Sequence, residues 1–142
     1  VWHFLRRKPV AAEQAVDAAV ELFREVSGPT FDEEEFRALA KASIARSYRP
    51  AGTARQLCAV IASPDRTEGL RRVTVPTLVI HGMRDPLVRR SGGIATAEAV
   101  PGARLLMFSE MGHDLPRSRW DEIVAEIRLN ADRANTGVDA PR

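Results

Sequence analysis

The run Val75-Pro76-Thr77-Leu78-Val79-Ile80 is apolar at nearly every position, rich in β-branched residues, and ends at His81-Gly82. A strand with one face in water alternates apolar and polar residues. One that is apolar throughout fits a parallel sheet covered on both faces. A helical segment from about Gly92 to Val100 follows, closed by Pro101-Gly102, and then a second strand-like run from Ala103 to Phe108. A strand–helix–strand unit makes the two strands parallel and the crossover right-handed. Two strands alone are marginal as a sheet. The pattern therefore predicts an α/β fold that is incomplete, with further strands supplied from outside the given sequence.

Ahead of this unit the apolar period is helical. Ala15, Ala19, Leu22 and Val26 recur at spacings of three and four between Ala11 and Val26, and Gly28-Pro29 ends that helix. Thr30-Phe31-Asp32-Glu33 has capping-box spacing and opens a second helix. Its expected buried stripe is Phe36, Leu39, Ala40 and Ile44, with Pro50 as the stop. A third helix is predicted from about Thr53 to Ala62, with Leu57, Val60 and Ile61 apolar and Cys58 a small buried hydrophobe. Ser63-Pro64-Asp65 breaks it, and Asp65-Arg66 reads as a structural hinge pair. A last helix begins near Ser118, with Asp121 at capping distance. Trp120, Ile123, Val124 and Ile127 form its stripe, Trp120 being core rather than a substrate platform. The expected division is a helical segment 1–64, an α/β segment 65–133 and a disordered polar tail 134–142.

Composition narrows the function classes. The hydrophobic share of 44% and charged share of 28% over 142 residues describe a folded domain. The +2 net charge is small, and the clusters Arg6-Arg7-Lys8, Arg71-Arg72 and Arg89-Arg90 have no interleaved aromatic residues, so nucleic acid is not an expected partner. No run approaches the roughly 18 apolar residues of a membrane span. Val1-Trp2-His3-Phe4-Leu5 is too short for a signal-peptide core, and the expected location is cytoplasmic. One cysteine excludes an internal disulfide framework. Arginine-dominated basic usage and abundant alanine fit a GC-rich bacterial genome.

Each strand leads into a short loop with titratable residues: His81-Gly82-Met83-Arg84-Asp85-Pro86 after the first, and Glu110-Met111-Gly112-His113-Asp114-Leu115-Pro116 after the second. Parallel strands open their carboxyl ends on one edge, so Asp85 and His113 are brought to the same edge. A carboxylate in reach of an imidazole fixes its tautomer and stabilises its cation, two of the three roles in nucleophilic acyl transfer. From the residues alone that pairing stands beside the alternative of a loop histidine that merely titrates. His81 reads as a polar residue packed at the strand's end, His3 as a residue near the terminus, and Asp114 as a brace for the loop. Three scattered histidines and one cysteine do not make a metal-ligand cluster.

The segment from Asp65 to about Ile127 resembles the C-terminal part of an α/β-hydrolase. Val75 to Val88, "VPTLVIHGMRDPLV", is similar to the strand and loop that carry the triad acid, and Pro101 to Pro116, "PGARLLMFSEMGHDLP", to the last strand and histidine loop. The similarity is strongest to esterase-like bacterial members, the aclacinomycin methylesterase group, and there Arg46 to Arg66 resembles the return from the helical cap into the core. The resemblance covers about Ala11 to Ile127. It implies Asp85 as the orienting acid, His113 as the general base, and helices from about Ala11 to Ala62 as the cap over a substrate pocket.

The family's Gly-x-Ser-x-Gly elbow has no counterpart here: the serines are 27, 43, 47, 63, 91, 109 and 118, and none lies between such glycines. Ser27 and Ser91 come nearest, beside Gly28 and Gly92-Gly93. The nucleophile is therefore expected upstream of Val1, and the first residue not being methionine agrees with that expectation. The implied function is that of the cap and C-terminal portion of a serine hydrolase acting on carboxylic esters, with a small-molecule ester-like substrate and neither cofactor nor metal. The preceding core is then needed for folding. The alternatives are a non-catalytic fragment or pseudoenzyme, or a relative with epoxide hydrolase, dehalogenase or haloperoxidase-like chemistry, since acid and base positions do not fix the reaction.

Overall fold

The computed structural model describes residues 10–135. His3, the cluster Arg6-Arg7-Lys8 and residues 136–142 of the predicted tail lie outside them. The described residues group into two compact units, residues 10–26 with 31–64 and residues 27–30 with 65–135.

In the first unit a 3₁₀ turn, Ala12–Gln14, leads into α1, Ala15–Val26. Ala15 and Val26 of the predicted stripe are buried, and so is Val20, which lies off it. Helix α2, Glu33–Arg46, is capped by Asp32, whose side chain accepts from the Glu35 amide at 2.9 Å. The predicted cap at Thr30 is thus two residues early. A carboxylate at Asp32 meets the first-turn amides, and Glu33 to Glu35 then lie at the positive end of the helix. Phe23 stacks on Phe36 with centroids 4.2 Å apart, and Phe31 tilts against the same ring at 5.6 Å.

Two further expectations fail in this unit. Pro50 does not stop α2, which already ends at Arg46; it opens α3, Pro50–Ala62, at the position where a missing N–H costs nothing. Leu39, Val60 and Ile61 are more than 60% exposed, Cys58 is exposed rather than buried, and α3 buries none of its residues. Periodicity marks an apolar face but does not supply its cover, and among the described residues nothing covers this one.

The second unit carries the sheet. A short helix α4, Thr67–Leu70, is started by Asp65, whose Oδ1 accepts from the Thr67 amide and hydroxyl at 2.9 and 2.6 Å. Asp65 thus binds Thr67, and with Arg66 it stands where the first unit ends at Pro64 and the second resumes. Strands β1, Leu78–Gly82, and β2, Arg104–Phe108, pair in parallel from Leu78 opposite Arg104 to Gly82 opposite Phe108. Pairing begins later than the apolar run because Pro76 has no N–H to give, and Val75 is 66% exposed. Helix α5, Arg90–Ala99, packs on both strands as the crossover.

After the 3₁₀ turn Arg117–Arg119, helix α6, Trp120–Asn135, runs through Ala134 and Asn135, the first residues of the predicted tail. Only Ile123 of its predicted stripe is buried, packed with Phe108 and Met111 against Ile80 and Leu106. Trp120, expected in the core, is about half exposed and donates its ring N–H to the Leu115 carbonyl at 2.8 Å.

Candidate functional site

The carboxyl ends of β1 and β2 lead into two loops that interlock. Just after β1, the Met83 amide donates to the Phe108 carbonyl at 2.9 Å and the Arg84 amide to the Met111 carbonyl at 3.0 Å, tying the acid loop to the histidine loop. The Arg84 guanidinium Nε adds a bond to the Ser109 carbonyl at 3.1 Å. Asp85 Oδ1 accepts from the amides of Leu87 and Val88 at 2.8 and 2.9 Å, an aspartate-nucleated turn that fixes one carboxylate oxygen and aims the other. Val88 is held from its other side by His81, whose Nε2 donates to the Val88 carbonyl at 3.0 Å. The His81 ring lies against buried Gly93 of α5, where a Cβ would come 2.8 Å from its Cγ. His81 is thus a packed polar residue at the end of β1.

The histidine loop is gripped from two sides. A Cβ on Gly82 would fall 2.6 Å from the Met111 carbonyl carbon, and one on Gly28 would fall 2.9 Å from that of Glu110. Both glycines are buried, and neither position has room for a side chain. Asp114 Oδ1 accepts from the Gly112 amide at 2.9 Å and from the Gly28 amide at 3.0 Å. Asp114 is therefore a brace and not the partner of its neighbour His113. Glu110 accepts from the Ser109 hydroxyl at 2.8 Å and from Arg119. These two, Ser109 first, hold its carboxyl below the ordinary glutamate range.

His113 Nδ1 lies 2.7 Å from Asp85 Oδ2. The Asp85 side chain is 5% exposed and that of His113 43%. A carboxylate accepts only, so Nδ1 carries the proton and Nε2 is the basic nitrogen of the neutral ring. Among the described residues no serine hydroxyl bonds His113, Ser27 follows α1, and Ser91 lies within α5. Neither serine stands on a strand-to-helix turn. Among the described residues no group of three or more His, Cys, Asp or Glu side chains could hold a metal ion, and no helix is long and apolar enough to cross a membrane. What the arrangement offers is a proton acceptor and donor at Nε2, backed by a nearly buried carboxylate.

A family model of α/β-hydrolases, described as TAP-like protein, matches residues 46–125. The chain belongs to this family. Rhodomycin D methylesterase DauP of Streptomyces sp. (strain C5) is 31% identical over 121 residues, which cover 81% of this chain and 39% of that protein. Rhodomycin D methylesterase DnrP of Streptomyces peucetius is 32% identical over the same shares. The chain thus spans about two fifths of the length of the curated relatives it matches.

Among solved structures, the esterase EaEST from Exiguobacterium antarcticum aligns with 90% of this α/β-hydrolase chain and 50% of its own, at TM-score 0.56 and 20% identity. An N-acyl homoserine lactone degrading enzyme aligns with 84% and 51%, also at 0.56, and is 24% identical. At such identities the likeness speaks for the fold. The chain holds part of an α/β-hydrolase fold: helices, then two parallel strands with their helices.

Sequence reasoning marked Asp85 and His113 but passed over Gly28, Gly82, Gly93 and Arg84. Gly28 reads in sequence as a helix stop, and its place beside residue 110 rests on a contact spanning most of the chain. Gly82 offered a signal, a glycine after an apolar strand, which marks a close backbone approach.

Proposed function

We propose that this chain is the cap and C-terminal portion of a serine α/β-hydrolase that cleaves carboxylic esters, with His113 as general base and Asp85 as the acid that orients it. The observation carrying the proposal is the 2.7 Å contact between His113 Nδ1 and Asp85 Oδ2, on a carboxylate whose other oxygen is tied to two backbone amides. In the whole protein His113 Nε2 removes the proton of a serine hydroxyl as its oxygen attacks the ester carbonyl. The imidazolium, stabilised by Asp85, then gives that proton to the departing alkoxide. Water repeats the cycle on the acyl-enzyme: His113 takes its proton as its oxygen attacks the acyl carbonyl, then returns that proton to the serine oxygen as the free acid departs. The methylesterase relatives make a methyl ester the substrate class to test first.

The serine belongs to the part of the whole protein preceding these residues, and the β1–β2 pair completes its sheet against that part. In the whole protein, His113→Ala abolishes turnover of methyl and p-nitrophenyl esters, and Asp85→Asn lowers kcat by about 10⁴, as expected when the wrong imidazole tautomer is left. Full activity in His113→Ala refutes the assignment. The second reading, a chain without catalysis of its own, is favoured by the absence of any Gly-x-Ser-x-Gly in these 142 residues. The 142-residue chain by itself then hydrolyses p-nitrophenyl acetate no faster than free imidazole.

A further inference from the structure

We propose that Asp114 is a positioning residue for His113 and that it acts by latching the connector at Gly28 to the histidine loop. This rests on reading His113 as the base. One carboxylate oxygen of Asp114 accepts two amides that are far apart in sequence. The Gly112 N–H, at 2.9 Å, is the amide immediately before His113, and the Gly28 N–H, at 3.0 Å, lies 86 residues away from Asp114. A bond from Gly112 to Asp114 alone is a local turn, which leaves the loop free to move as a body. The bond from Gly28 adds an anchor from outside the loop, beside the Arg84–Met111 bond, because residues 27–30 group with the sheet and not with the helices on either side of them.

The packing agrees with the hydrogen bonds. Gly28 sits so close that a Cβ would lie 2.9 Å from the Glu110 carbonyl carbon and 3.1 Å from the Gly112 nitrogen. The connector backbone therefore presses on the loop where Asp114 holds it. Gly82 presses on Met111 and Gly112 from β1. The base is thus fixed at three points: Asp85 at its ring, Gly82 and Gly28 on its loop backbone, and Asp114 joining the last of these to the loop. A charged acceptor serving two partly buried amides forms stronger bonds than a neutral one. Its removal leaves both donors unpaired.

The test is hydrogen exchange and nitrogen NMR on the whole protein that carries these residues. Asp114→Ala speeds exchange of both the Gly28 and Gly112 amides by about tenfold or more and broadens or shifts the His113 Nδ1–H signal. Asp114→Asn, which keeps an oxygen in place, restores both to near the parent values. An unchanged His113 Nδ1–H signal in Asp114→Ala overturns the proposal, whatever the glycine amides do, and so does Asp114→Asn behaving like Asp114→Ala. Should Asp114→Ala not fold, the parent chain decides. Gly28 and Gly112 amides exchanging at one common slow rate support the latch, and a Gly28 amide exchanging at the rate of an open loop overturns it. Failure of the base assignment is read separately, as ester turnover surviving His113→Ala in the whole protein.

Discussion

Gly82 comes so close to Met111 that a side-chain carbon on it would lie 2.6 Å from the Met111 carbonyl carbon, inside van der Waals contact. That approach lets the end of β1 touch the histidine loop and lets Arg84 bond the Met111 carbonyl. Gly82→Ala must push the loop away. Stability falls by about 1–3 kcal/mol, the usual cost of overpacking, read as a lower urea midpoint at constant slope. An unchanged midpoint contradicts the close approach.

Adjacent glycines in α5 give opposite signs. Replacing a helical glycine by alanine ordinarily stabilises by up to about 1 kcal/mol. Gly92 obeys, since its added carbon meets only the Val88 side chain at 3.4 Å. Gly93→Ala drives a carbon to 2.8 Å from the His81 ring and destabilises, loosening the His81 bond to Val88. Thermal melts of the two variants check this, and a shift in the same direction for both contradicts it.

The sequence specifies this fold most legibly where a pattern is local and least where a contact is long-range. The two strands, their parallel pairing and the helix between them follow from apolar runs and breakers. So does the edge shared by Asp85 and His113, because strand ends are set by topology. The cap at Asp32 was misplaced because two acceptors, Thr30 and Asp32, compete for the same first turn. Leu39, Cys58, Ile61 and Trp120 were expected inside, but periodicity gives a direction and not a covering partner. The Gly28–Asp114 bond was beyond reach, because no local spacing joins positions that far apart.

Acid acts on the histidine loop through Glu110. Its carboxyl is held below the ordinary value of 4.5 by the Ser109 hydroxyl and then by Arg119. The folded chain therefore binds that proton less readily than the unfolded one. The contribution is present above 4.5 and is lost as pH falls through the lower folded value. Glu110→Gln accordingly weakens the chain at neutral pH, and the difference closes as pH falls below 4.5 and through the lower folded value, beneath which both forms are uncharged. Denaturation across that range tests the sign, and a constant offset contradicts it.

The central claim is that Asp85 holds the proton on His113 Nδ1 and leaves Nε2 to act as the base. Nitrogen-15 NMR of the neutral His113 ring reads the tautomer directly. The account predicts the Nδ1–H form in the parent chain and a change to the Nε2–H form, which free imidazoles favour, in Asp85→Ala. An Nε2–H ring in the parent chain, or a tautomer indifferent to Asp85, contradicts it.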